Sequence, residues 1–179
     1  LIFNEQTSNQ LAVFDIDNER LVEYMVPSKN PNWADCEDKS NSNCGVAQIF
    51  GFDAIGDKIW FTEWAENKIG VVDTGKPLPF TVSTNTESIT LKKGETQTIS
   101  LNINNLSNTD KINFNFAHTA SAVTKSSDLI VSHDFVNYDE IVVSVTASEI
   151  AISGEYKLLL GVYNSEINVS KYVDVIIEP

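Results

Sequence analysis

Through much of the chain apolar residues alternate with polar ones at a period of two, the pattern of strands with one buried face. In the second half the apolar runs are Ile99, Leu101, Ile103; Ile112, Phe114, Phe116; Ile141, Val143, Val145; Tyr156, Leu158, Leu160, Val162; and Val173, Val175, Ile177. Turn-forming stretches separate them: Lys93-Gly94-Glu95, Asn104 to Asp110, Asn137-Tyr138-Asp139 and Ser153-Gly154-Glu155. An opening strand between Phe80 and Leu91 and a short one from Leu129 to Val131 complete the set. Roughly seven strands in about a hundred residues predict a β-sandwich.

The first half carries an internal repeat. Leu1 to Asp15 aligns without gaps on Ile59 to Asp73, an offset of 58 residues, with identities at Phe3/Phe61, Glu5/Glu63, Asn9/Asn67, Val13/Val71 and Asp15/Asp73. Each copy reads as a hairpin: an apolar-aromatic strand, a polar turn around the asparagine, and a β-branched strand ending at the aspartate. A further strand, Arg20 to Val26, follows the first copy, and Gly45 to Phe52 leads through Gly56-Asp57 into the second. Four short strands per repeat is the arithmetic of a propeller blade. Pro77-Leu78-Pro79 then interrupts strand pairing and marks a boundary, with residues 1–77 on one side and 78–179 on the other.

Ile59-Trp60-Phe61-Thr62-Glu63 followed by Asn67-Lys68-Ile69-Gly70, with Glu23-Tyr24 and Pro27 closing the preceding strand, resembles the blade signature of virginiamycin B lyase (streptogramin lyase) propellers. The resemblance covers residues 1–74. It implies an all-β fold in which residues 1–77 are about two blades, the C-terminal ones of a longer parent, because closed propellers have four or more. It also implies a carbon–oxygen lyase chemistry run by a histidine, a glutamate and Mg²⁺ on blade strands. The strand where that histidine is expected, Cys44-Gly45-Val46-Ala47, has none, and the two histidines, His118 and His133, lie in the second half. Catalysis by this chain alone is therefore not expected, no cofactor is assigned to it, and Mg²⁺ enters only if a longer parent carries the lyase site. The second half is similar to immunoglobulin-like surface sandwiches, without the inter-sheet cysteine pair and core tryptophan of antibody domains.

Charge narrows the partners. Against 12 Lys and Arg stand 25 Asp and Glu, a net −13, shared by both halves. Such a surface repels nucleic acid and acidic membranes. No apolar run is long enough to span a bilayer. Cys36 and Cys44, bracketing a polar stretch, are expected to form a local disulfide, which points to an oxidising, extracellular or cell-surface location. Metal binding by that pair is disfavoured, since structural zinc takes four ligands. Two glycosylation sequons, at Asn105 and Asn168, are compatible with export.

Candidate chemistry is sparse. Trp33, Trp60 and Trp64 are the candidate ligand or partner surface, although aromatics of this kind more often fill the space between blades. Glu5 and Glu63, recurring at one repeat position, are expected to be structural. The acidic residues beside Cys36 are expected to be solvated, since no EF-hand spacing is present. These observations predict a non-catalytic binding or scaffold protein. Two alternatives remain: a fragment of a lyase-like enzyme whose catalytic blades lie elsewhere, and a subunit of a larger surface assembly. In either case the expected contact is a protein or surface partner, or the remaining blades.

Overall fold

The computed structural model describes residues 1–5, 8–28, 46–107, 111–120 and 127–179. Every helix or strand among them is a β-strand, so the fold is all-β. Two compact units emerge, Leu1–Leu78 with Ser165–Asn168, and Pro79–Asn164 with Val169–Pro179.

In the first unit, β1 (Ile2–Glu5), β2 (Gln10–Asp15) and β3 (Arg20–Met25) form one antiparallel meander. A second consists of β4 (Ile49–Ile55), β5 (Lys58–Glu63) and β6 (Lys68–Asp73). The repeat seen in sequence is a repeat in register. Ile2 pairs with Val13, Phe3 with Ala12, Asn4 with Leu11 and Glu5 with Gln10. Shifted by the same offset, Trp60 pairs with Val71, Phe61 with Gly70, Thr62 with Ile69 and Glu63 with Lys68. Both hairpin turns place their asparagine in the left-handed region, Asn9 at φ 61° and Asn67 at φ 52°, a conformation that asparagine tolerates better than most residues. The repeated aspartates serve the following turns, Asp15 accepting from the Asn18 amide and Asp73 from the Gly75 amide.

The two sheets meet across a small core of Leu11, Val26, Ala47, Ile49, Ile59 and Phe61, with Ile2, Val13 and Val72 packed against it. Alternation explains the set: on β5, Ile59, Phe61 and Glu63 point inward while Lys58, Trp60 and Thr62 point out. Asn9 joins the sheets. Its Nδ2 donates to the carbonyls of Val26 (2.8 Å) and Ser28 (3.0 Å), and its Oδ1 accepts from the Ala47 amide (2.7 Å). The expected fourth strand of a repeat is not found in either meander among the described residues. Beside β3 its place is taken by the start of a later strand, β14 (Ile167–Ile177). Ile167 and Asn168 belong to this unit, and the Met25 amide donates to the Glu166 carbonyl at 2.9 Å. Among the described residues β6 is an edge strand, paired with β5 alone.

The second unit holds β7 (Thr81–Thr84), β8 (Ser88–Leu91), β9 (Thr96–Asn104), β10 (Asn113–Ala120), β11 (Leu129–Phe135), β12 (Glu140–Ala147), β13 (Gly154–Tyr163) and most of β14. One sheet runs β7-β9-β12-β11 and the other β8-β14-β13-β10. The predicted opening strand is therefore two strands on different sheets: β7 pairs antiparallel with β9, and β8 pairs parallel with β14. Ile99, Leu101, Ile103, Ile141, Val143 and Val145 of the first sheet and Leu158, Leu160, Val162, Val173, Val175 and Ile177 of the second form the buried interior of a two-sheet sandwich. Tyr156, near the start of β13, donates its hydroxyl to the Ile152 carbonyl four residues upstream at 2.6 Å, the tyrosine-corner arrangement of such sandwiches. One expected alternation is corrected. Phe116 stays exposed and Ile112 precedes the strand, because β10 is the outer strand of its sheet and its inner side is only partly covered.

Candidate functional site

Among the described residues the β4–β6 sheet and its turns carry the exposed aromatics Phe50, Phe52, Trp60 and Trp64. Trp60 leaves β5 on the opposite side from Ile59 and Phe61, and Ile69 and Val71 of β6 stand on the same outward face as its neighbours. At the hairpin end Trp64 and Phe50 approach with ring centroids 6.0 Å apart. Residues of β4 to β6, namely Gly51, Phe52, Asp53, Trp60, Phe61, Thr62 and Ile69, line a shallow depression of about 330 Å³. Trp60 stands on the outward side of this sheet, and Trp64 is exposed in the turn that follows β5. Trp33, Cys36 and Cys44 lie outside the described residues, so their expected roles as surface and disulfide stand as they did.

The glutamates have different surroundings. Glu63 is buried, and its Oε2 has no hydrogen-bond partner among the described residues. Its counterpart Glu5 accepts from Ser8 Oγ at 3.0 Å and stands beside Glu23. Glu23, which the sequence marked only as part of a strand, is buried with its Oε2 2.6 Å from Asn168 Nδ2. Burial foremost, then the neighbouring Glu5 charge, pushes the Glu23 carboxyl up to about 7. Sequence reasoning does not reveal this acid pair, because Glu5 and Glu23 come from two strands and the amide that Glu23 meets lies 145 residues away.

Asn168 requires a correction. Its side chain is 4% exposed and its amide nitrogen, the atom that would bear a glycan, is committed to Glu23. Asn105, by contrast, is exposed in a left-handed turn at φ 65°.

Among the described residues no three His, Cys, Asp or Glu side chains gather closely enough to hold a metal ion. The residues at hand therefore do not fit the Mg²⁺ site that the lyase resemblance implies, and no chemistry is derived through it. His133 lies among aromatic rings, 4.5 Å from Phe114 and 5.6 Å from Phe135 by ring centroid. With Phe116 this forms an aromatic cluster where β10 and β11 end the two sheets. His118 is on β10, across from Leu158. On the outer side of the other sandwich sheet, Ser88, Thr119, Lys157 and Asp174 line a groove of about 670 Å³, where Lys157 Nζ and Asp174 Oδ1 form an ion pair at 2.7 Å.

The chain matches no protein-family model and no curated protein. Among solved structures it is similar to a chimeric titin Z1Z2 functionalized with a KLER exogenous peptide from decorin. That similarity has 14% identity and a TM-score of 0.31, and covers 54% of this chain and 93% of the other.

Proposed function

We propose that the chain is a non-catalytic binding or scaffold module acting outside the cell or at its surface. In this reading the first unit consists of propeller-type blades, and the second is an immunoglobulin-like spacer or docking module. The observation that carries it is the outward face of the β4–β6 sheet, where Trp60, Ile69 and Val71 stand in solvent beside the Phe50–Trp64 pair. An exposed apolar face of this kind marks an interaction surface. The acidity spread over both halves supports solubility and a protein rather than a nucleic-acid partner.

Protease shaving of intact cells that make the native polypeptide tests the reading. Release of peptides from residues 79–179 before lysis is the expected result; release only after lysis sinks it.

The matched hairpin registers also favour a second reading, a fragment of a streptogramin-lyase-like enzyme whose catalytic blades lie in a longer polypeptide. It calls for Mg²⁺-dependent opening of a cyclic depsipeptide lactone by that polypeptide. If the longer polypeptide has no histidine on a blade strand, this reading is lost.

A further inference from the structure

The outer face of the β8-β14-β13-β10 sheet carries a polar row to which each strand contributes one residue. Ser88 of β8 is opposite Asp174 of β14, and Thr119 of β10 is opposite Lys157 of β13. The Lys157–Asp174 ion pair at 2.7 Å joins the two halves across the neighbouring strands β13 and β14. Alternation points the row away from the interior, since Ile89, Tyr156, Leu158, Val173 and Val175, next to its members in sequence, are buried. Glu155 and Ile176, two positions along β13 and β14 on the same face, are exposed beside it. All six line the groove of about 670 Å³, a size within the roughly 300–1,000 Å³ of small-molecule sites.

We propose that this groove binds a neutral saccharide. Along the row the groups run hydroxyl, carboxylate, ammonium, hydroxyl. Lys157 only donates, Asp174 only accepts, and the hydroxyls of Ser88 and Thr119 do both. Adjacent hydroxyls on a sugar ring suit such a row, because one donates to Asp174 while the next accepts from Lys157, with the ion pair left intact. Ser88 and Thr119 meet the hydroxyls beyond, and the exposed side chain of Ile176 offers an aliphatic surface to the C–H face of the ring. Charged ligands fit less well. Each charge of the pair is already met at 2.7 Å, and an anion would also face Glu155 and the net −13 of the chain. A saccharide site on the second unit deepens its reading as a docking module and rests on that reading.

The test is titration of the isotope-labelled full chain with cellohexaose, xylohexaose, mannohexaose and maltohexaose, each to millimolar concentration, followed by backbone amide shifts in NMR spectra. The expected result is saturable binding of at least one of them, with shifts centred on β8, β10, β13 and β14. Lys157→Met combined with Asp174→Leu removes the pair at little cost to folding, since exposed ion pairs contribute little stability. This double variant is expected to weaken the binding roughly tenfold or more. Thr119→Val, which keeps the shape and loses the hydroxyl, weakens it several-fold. Glu155→Gln and added NaCl leave it unchanged, because the ligand is neutral. Absence of shifts with every sugar overturns the proposal, as do shifts centred elsewhere or undiminished binding by the double variant. Affinity that falls with salt, or binding of trilysine in the groove in place of the sugars, shows a charged ligand and also overturns it. None of these outcomes alters the shaving result, so the saccharide site and the cell-surface assignment fail separately.

Discussion

Asn9 and Asn67 occupy the same turn position of two matched hairpins and share a left-handed backbone, yet Asn9 is buried in a network of side-chain hydrogen bonds and Asn67 is exposed. The identity at this position thus has two physical causes, tolerance of positive φ and the linking of adjacent sheets. Substitution separates them. Asn67→Ala carries the backbone cost alone, roughly 1–2 kcal/mol. Asn9→Ala adds the cost of buried groups left unpaired, about 1–3 kcal/mol more. Glycine relieves the backbone in both, so Asn67→Gly is close to neutral while Asn9→Gly remains destabilising. Urea unfolding of the four variants checks the order, and equal losses at the two positions would refute it.

Gly70 differs from its counterpart Ala12 for a reason visible in the packing. A Cβ at Gly70 would lie 2.1 Å from Phe61 Cζ, because the Phe61 ring covers its cross-strand neighbour. Gly70→Ala therefore displaces the ring from the small core of the first unit, at a cost of about 1–3 kcal/mol by overpacking. Pairing the change with Phe61→Leu is expected to recover part of the loss. A double-mutant cycle in thermal unfolding measures the coupling, and strict additivity would show that the contact is not the cause.

Much of this architecture was legible because it is written at short period. The alternation through Ile99 to Ile103, Ile141 to Val145 and Tyr156 to Val162 marks strands with one buried face, and these residues are buried. Phe3/Phe61 and Asn9/Asn67 mark a repeat because the same hairpin places the same demands on both copies. What lay hidden depends on distant partners. No local pattern shows that Phe80 to Leu91 divides between two sheets, or that Ser165–Asn168 groups with the first unit. The Glu23–Asn168 hydrogen bond is hidden for the same reason. Trp60 and Trp64 were recognisable as candidates, whereas the exposure of Trp60 follows from the outward parity of β5.

Tyr156 anchors the second unit. Burial raises its hydroxyl pKa above the ordinary tyrosine value, and the group spends its proton on the Ile152 carbonyl, with Asp128 at 3.3 Å. Tyr156→Phe keeps the ring and removes this bond, so the expected loss is about 1–2 kcal/mol. The midpoint of unfolding followed by a probe in the sandwich should fall accordingly; an unchanged midpoint would remove the corner from the account of stability.

The two sequons make opposite predictions. Secreted from a glycosylating host, the folded protein is expected to carry sugar at Asn105 and none at Asn168, whose amide nitrogen is buried against Glu23. Peptide mass mapping after enzymatic glycan release decides this. A glycan on Asn168 in folded protein would require the Glu23 contact to be absent.

Glu23 also makes the stability of the first unit depend on pH. Its carboxyl is raised from 4.5 to about 7 in the folded chain, by burial first and by Glu5 next, against the lowering effect of the Asn168 hydrogen bond. Between these two values the folded chain holds a proton that the unfolded chain has released, so stability falls as pH rises. The contribution is fully present below about 4.5 and is lost as pH passes about 7. Glu23→Gln keeps the shape and an oxygen to accept from Asn168 but has no charge to bury. The variant is therefore expected to match the parent near pH 4.5 and to exceed it at pH 8, with the gap opening across the window between. Urea midpoints at several pH values measure the gap directly. Parallel curves for the two proteins would show that the proton resides elsewhere, whereas a gap that opens only in the presence of Glu5, and shrinks in Glu5→Gln, ties it to the pair.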